Sequence, residues 1–359
     1  MDNDVCYVGN LRSLQTIPCD PMSTPAQDQD RERAKPVVAL VCAGQGLSAA
    51  LGANFTELDW RTIDPTDLDL VEKFAQVDVV IHAWIDPDLS AVDPFRGDLS
   101  SALTAKVLAA CNAANVQRLV MISSAMVYGA SSLNEVPLPD EAPLRANGTV
   151  GVLQDLLDAE EQIARWGSEH KTAVSIVRPA IVFGPNIDTA FLRHFESPRL
   201  LFLKGSTPAW QFVHVVDVAT AIEVVITNGI NGVVPVGADG WLSQEEVEAV
   251  SGIRRLELPA TAVMSTAERL HHHGVSPAPA EELDFIRYPW VIDAAKLRAQ
   301  GWRPTWTNEQ ILQALMRQAQ GRTAIAGRRV GRSEVTALTA AAAVLTAAAL
   351  VRARRRRSL

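Results

Sequence analysis

A chain of 359 residues, 48% hydrophobic and 21% charged, carries enough apolar surface to build a full core, which excludes a disordered chain and suits one large α/β unit with tails. The net charge of −8 hides an asymmetry: residues 322–359 hold nine arginines against the single acid Glu334, a segment charge of +8 that leaves −16 on the body and excludes a nucleic-acid groove. Cys6, Cys19, Cys42 and Cys111 lack paired or finger-like spacing and no signal-peptide pattern opens the chain, so neither a disulfide framework nor a zinc module is expected, and the body should face a reducing cytoplasm.

Residues 1–35 are polar, rich in Asp, Gln, Arg and Pro, and without period, which predicts a disordered leader; Met22 is an alternative start to Met1. From Val37 short apolar runs alternate with amphipathic stretches, the pattern of a parallel sheet covered by helices. The runs are 37–41, 77–84, 118–124, 173–184 and 232–237, β-branched and nearly continuous, as strands buried on both faces should be. Helices are predicted over 100–116, 151–166 and 217–227, with a further strand at 55–60 and a helix over 66–75. The globular part, 36–320, should close with a short strand-like piece in YPWVIDAAKL, a Gly/Pro turn and a last helix from about Asn308.

Beyond it lie a basic linker (321–334), an uncharged run of 17 residues (335–351) and a basic tail (352–359). As a helix the run would reach about 25 Å, slightly short of a ~30 Å hydrocarbon core. Its only polar residues are three threonines, where a soluble surface helix would show a polar face. The terminal arginines favour a cytoplasmic C-terminus, which conflicts with a cytoplasmic body if the helix spans once; an interfacial helix held by anionic lipid avoids the conflict. A soluble Ala-rich helix is the competing reading.

The first strand runs into Ala43, Gly44, Gln45 and Gly46, where a glycine-rich loop would bring backbone N–H groups against a pyrophosphate. Of the three positions that matter, Ala43, Gly46 and Ala49, only the middle one is glycine, and a plain turn that binds nothing competes with the cofactor reading. Only 32 positions separate Gly46 from Asp78, little room for two helices and a strand. Asp59 or Asp64 would face the adenosine ribose, unless Asp64 caps the helix over 66–75.

The segments DVVIHAW (78–84), VQRLVMISSAMVYG (116–129), VSIVRPAIVFGPN (174–186), WQFVHVVDVATAI (210–222), VVPVGADGWLSQEEV (233–247) and VIDAAKLRAQGWRPTW (291–306) together resemble the NAD-dependent epimerase/dehydratase family of extended short-chain dehydrogenases, over roughly residues 37–320. The resemblance implies a Rossmann-type doubly wound parallel sheet with a small C-terminal substrate-binding region, NAD or NADP as cofactor, and a redox step on nucleotide sugars or related alcohols. It places Gly44, Gly46, His82, Ala83 and Pro179 beside the cofactor. It also assigns Ser124 a hydrogen bond to the reacting hydroxyl, followed by a tyrosine that shuttles the proton and a lysine four residues later.

That pair is absent: no tyrosine lies between Tyr128 and Tyr288 and no lysine between Lys106 and Lys171. Val150 and Gln154 take the two positions in one register, Val152 and Leu156 in the other. A phenol of pKa near ~10 needs a nearby cation to act as a base at neutral pH, and here there is neither phenol nor cation. Trp84 replaces a small residue beside the cofactor, and Trp210 stands where many relatives keep a phosphate-binding arginine. His82 and His214 should orient loops, Ser124 could simply satisfy a backbone group, and His271, His272 and His273, pointing in different directions, suit a solvated loop better than a metal. The expectation is therefore a nucleotide-binding or membrane-associated scaffold or sensor without standard hydride transfer; the alternative is an active oxidoreductase or epimerase on a nucleotide sugar, using Ser124 and an unusual acid–base residue.

Overall fold

The computed structural model describes residues 35–42, 46–83, 96–146, 151–272, 280–322, 324–325 and 328–329. The chain divides into two units, Met1–Lys35 and Pro36–Leu359, and the description below concerns the second. Ala43, Gly44, Trp84, Val150, His273 and the run 335–351 lie outside the described residues, as does the leader up to residue 34. Among the described residues no helix is long and apolar enough to cross a membrane.

In chain order the elements are β1 (Val37–Val41), α1 (Gly46–Gly52), β2 (Asp59–Ile63), α2 (Leu70–Lys73), β3 (Val79–His82), α3 (Arg96–Ala113), β4 (Arg118–Ile122), α4 (Val152–His170) and β5 (Ala173–Pro179). They continue with β6 (Ile181–Phe183), α5 (Ala190–His194), β7 (Leu200–Leu203), β8 (Ala209–Trp210), β9 (Phe212–His214), α6 (Val215–Thr227), β10 (Gly232–Val236), β11 (Leu242–Ser243), α7 (Gln244–Ser251), β12 (Arg255–Leu258), α8 (Ala260–His272), α9 (Ala295–Ala299) and α10 (Asn308–Ala319). Two 3-10 helices, Ala125–Tyr128 and Ala280–Ile286, flank the site region.

Six strands form one parallel sheet in the order β2-β1-β3-β4-β5-β10. The apolar runs read from the sequence are its inner strands: Val38 to Val41 and Leu119 to Met121 are fully buried, because each strand meets packed structure on both faces. The order reverses at β1, whose neighbours β2 and β3 continue in opposite directions, the topological switch point at which sheets of this kind bind ligands beyond the carboxyl ends of their strands. Only one strand lies beyond β1, where the 3-2-1-4-5-6 dinucleotide sheet has two. The short link between Gly46 and Asp78 is therefore accommodated by omitting a strand.

Three sequence expectations need correction. The strand expected at 55–60 lies at 59–63: Phe55 and Leu58 enter the core from turns, and the strand itself is the sheet's edge, mostly exposed, so it lacks a clear apolar run. The helix over 66–75 shrinks to α2, with Asp69 rather than Asp64 at its N-cap position and no side-chain capping hydrogen bond. YPWVIDAAKL makes only an isolated bridge, Leu138 to Ile292, before α9.

Buried polar side chains fasten the C-terminal region to the sheet. Gln211 Oε1 accepts from the Ile292 N–H at 2.9 Å while Nε2 donates to the carbonyls of Ala238 and Ile292. Asp217, fully buried at the start of α6, accepts from Thr305 N–H and Oγ1 and from Trp306 N–H. Each group answers hydrogen bonds that burial would otherwise leave unmade.

Candidate functional site

β4 ends in Ser123 and Ser124, and their two hydroxyls diverge. Ser123 donates to Glu160 Oε1 on α4 at 2.5 Å, whereas Ser124 Oγ accepts from Met126 N–H at 3.2 Å and caps the 3-10 turn Ala125–Tyr128. Ser124 thus performs the backbone role that competes with a catalytic one. The turn ends at Gly129, at φ +74°, where a β-carbon would come within 2.8 Å of the Ala146 nitrogen.

Tyr128 cannot replace the missing phenol. Its ring is fully buried, its hydroxyl donates to the Asp140 carbonyl at 2.8 Å, and burial raises its pKa although the Arg178 guanidinium lies 4.7 Å over the ring.

The buried face of α4 carries Val152, Leu156 and Glu160 at successive four-residue steps. Glu160 forms a bidentate pair with Arg178 of β5, at 3.0 and 2.5 Å, and both side chains are buried. Gln154 lies off this line and donates to Asp158 one turn along the helix, and Val150 is outside the described residues. Val152 and Leu156 are aliphatic and can neither donate nor hold a proton, while the third member of the stripe, Glu160, is committed to Arg178 and Ser123. Glu160 and Arg178 were missed in the sequence, where the only signal was an acid inside an apolar helical stripe.

Below Ser124 lies a cavity of about 30 Å³ lined by Ser123, Ser124, Met126, Pro179, Phe191 and Trp290 among others. That is room for roughly one or two waters, against ~300 Å³ or more for a small-molecule site. Trp210 is buried inside an aromatic cluster: its Nε1 donates to Gln244 Oε1 at 3.1 Å, His194 stacks on it at 5.4 Å, and Phe195 meets it edge-on at 5.2 Å. Burial drives the His194 imidazole down to about 4, so no positive charge stands beside the indole from that ring.

At the crevice the acids separate. Asp59 pairs with Val37 at the amino end of the sheet, away from the loop that follows Val41, and a ribose role for it is corrected on that ground. Asp64 directly follows β2 at the carboxyl end. Hydrogen bonds from the Thr66 hydroxyl (2.6 Å) and N–H (2.8 Å) hold its carboxyl below the usual value, and Lys106 fastens the same turn by donating to the Thr66 and Asp67 carbonyls. An exposed, ionised carboxylate at the strand-order reversal has the chemistry to accept from ribose hydroxyls.

His82 is fully buried, bonded to Thr104 of α3 at 3.1 Å and lowered to about 4 by burial, so its neutral ring belongs to the core and only its backbone lies near the strand end with Ala83. His214 caps α6 and stacks on Trp306 at 4.3 Å, the loop-orienting role expected of it. His271 and His272 end α8, and among the described residues no cluster of three or more His, Cys, Asp or Glu could hold a metal ion.

The described architecture has counterparts among known proteins. The chain is 28% identical over 244 residues to the uncharacterized protein Rv0501 of Mycobacterium tuberculosis, covering 65% of this chain and 63% of that one. It is 24% identical over 277 residues to the low-salt glycan biosynthesis protein Agl12 of Haloferax volcanii, covering 73% and 80%. The chain therefore spans under two thirds of the first relative's length. The crystal structure of Thermus thermophilus UDP-glucose 4-epimerase in complex with NAD superposes with a TM-score of 0.58 at 17% identity, over 79% of this chain and 99% of the other, a likeness of fold. The family model described as "NAD dependent epimerase/dehydratase family" matches residues 24–237, more than half of the chain. By that match this chain belongs to the NAD-dependent epimerase/dehydratase family.

Proposed function

We propose that this protein binds a nicotinamide dinucleotide, NAD or NADP, across the carboxyl edge of its sheet and works as a nucleotide-binding sensor or scaffold, without the family's phenol–ammonium proton relay. One observation supports the reading: the helix on which the family would present a phenol and an ammonium holds neither, and its buried face carries the aliphatic Val152 and Leu156. Tyr128 is committed elsewhere, and no lysine lies between Lys106 and Lys171.

Asp64 would meet the adenosine ribose, the backbone from Cys42 to Gly46 the pyrophosphate, and the ends of β3 and β5 at Ala83 and Pro179 the rest of the cofactor. Bound NAD would supply a hydride acceptor. This chain's residues would position it but would not carry away the proton that hydride transfer requires. A nucleotide sugar remains a candidate second ligand, although Trp210 brings apolar surface where an arginine would meet its phosphates.

The test is a thermal shift with millimolar NAD and NADP, followed by turnover assays on UDP- and dTDP-sugars. A ligand that binds only the folded chain stabilises it by about 2.7 kcal/mol at 100 times its Kd, a shift of several degrees. A shift without turnover is expected. No shift with either cofactor would remove the nucleotide reading, and turnover at ordinary enzymatic rates would replace it with an active oxidoreductase.

The uncharged run 335–351, between arginine clusters, supports attachment of the tail to an anionic membrane surface. A reporter fused to residues 321–359 should sediment with membranes and resist a carbonate wash if the run is embedded. Complete release would favour a soluble helix.

A further inference from the structure

Glu282 lies in the 3-10 helix Ala280–Ile286, and its Oε1 is 3.9 Å from the point where a β-carbon on Gly151 would stand. Gly151 is the N-cap of α4, one residue before Val152, one of the two positions the resemblance offers for the absent phenol. The carboxyl therefore sits beside the helix start from which the family's acid–base group would project. Its Oε2 is buried and has no hydrogen-bond partner among the described residues. Burial, reinforced by the charge of Glu281, pushes the carboxyl up to about 7.

The packing of its helix and the sheet topology relate this carboxyl to the Ser124 region. In a 3-10 helix residues three apart share a face, so Glu282 and Phe285 point the same way. Phe285 packs edge-on against Phe191 at 6.2 Å and Trp290 at 5.3 Å, and those two rings wall the cavity beneath Ser124. In addition α4 follows β4, so its N-terminus lies at the carboxyl edge of the parallel sheet. A dinucleotide crossing that edge places one nucleoside near β1 and β2 and the other over the ends of β4 and β5, the strands that α4 connects and beside which its N-terminus lies.

We propose that Glu282 stands beside the nicotinamide end of the bound dinucleotide and makes the site selective for redox state, favouring the oxidised cofactor, whose ring is a cation, over the reduced cofactor, whose ring is neutral. The inference rests on the nucleotide-binding reading above. A cation within ~4–6 Å favours a carboxylate by one to three pKa units, so by linkage the carboxylate favours the cation to the same degree. Ionisation of Glu282 should thus strengthen binding of NAD+ and leave NADH nearly unaffected. The other charged groups on the elements packed here are Glu281, Asp284 and Arg287 on the same segment, Asp155 in the first turn of α4, and Glu268, Arg269, His271 and His272 on α8.

Calorimetric titration of the full chain with NAD+ and with NADH, at about pH 6 and about pH 8, tests this. The ratio of NAD+ to NADH affinity should rise about fivefold across that interval for a shift of about one pKa unit. In Glu282→Gln the ratio should be flat, which separates Glu282 from the histidines of α8. Taking the ratio cancels effects on the adenosine half, shared by both cofactors, and circular dichroism at both pH values checks that the variant is folded. A constant ratio in the unmodified chain, or an unchanged slope in Glu282→Gln, overturns the inference while leaving nucleotide binding intact. Absence of binding by either cofactor overturns the nucleotide-binding reading itself, and this inference with it.

Discussion

Replacing Arg178 with methionine is expected to destabilise the fold by about 3–5 kcal/mol, because it strands the Glu160 carboxylate inside the protein. Glu160 is 4% exposed and Arg178 5%, and what remains to Glu160 in the variant is the Ser123 hydroxyl. The guanidinium also lies over the Tyr128 ring, so a flat cation is lost from an aromatic face as well. Urea denaturation should report the loss. The double variant Arg178→Met with Glu160→Gln should recover much of it, since no buried charge is then left alone. Equal instability of single and double variants would show that packing, and not the stranded charge, governs the effect.

Glu282 has the second large expected effect, with a defined sign. Its ordinary value is 4.5 and the folded chain holds it near 7, so between those values the native state keeps a proton that the unfolded state has released. Stability therefore falls as pH climbs from about 4.5 to about 7 and is level above that interval. Burial being incomplete, the change should be about 2–3 kcal/mol. Glu282→Gln removes the titration, so the variant should melt several degrees above the parent at pH near 8 and close to it at pH near 5. Parallel melting curves at the two pH values would show that the carboxyl is not held neutral.

The sheet was legible because its inner strands bury both faces and so spell nearly unbroken β-branched runs; Val37–Val41 and Asn308 fall where pattern and capping chemistry place them. β2 was displaced because an edge strand buries little: Asp59, Arg61 and Thr62 are exposed, while Phe55 and Leu58 supply the apolar signal from outside it. The loss of the phenol and the ammonium needed no structure, being a plain absence along the chain. Sequence alone left two registers open, Val150/Gln154 and Val152/Leu156, because they are offset by two residues and differ only in the helix face they use; of these four positions Val152 and Leu156 lie on the buried face of α4. Glu282 was beyond sequence reasoning for a different reason: it meets Gly151 across a long stretch of intervening chain, and nothing local to Ala280–Ile286 marks one acid among Glu281, Glu282 and Asp284 as the buried one.

The tight space under Ser124 sets the scale of what could enter it. Phe191 and Trp290 are two of its walls, with ring centroids 5.5 Å apart, so room for a guest bulkier than water would come from rearranged wall side chains rather than from empty volume already present.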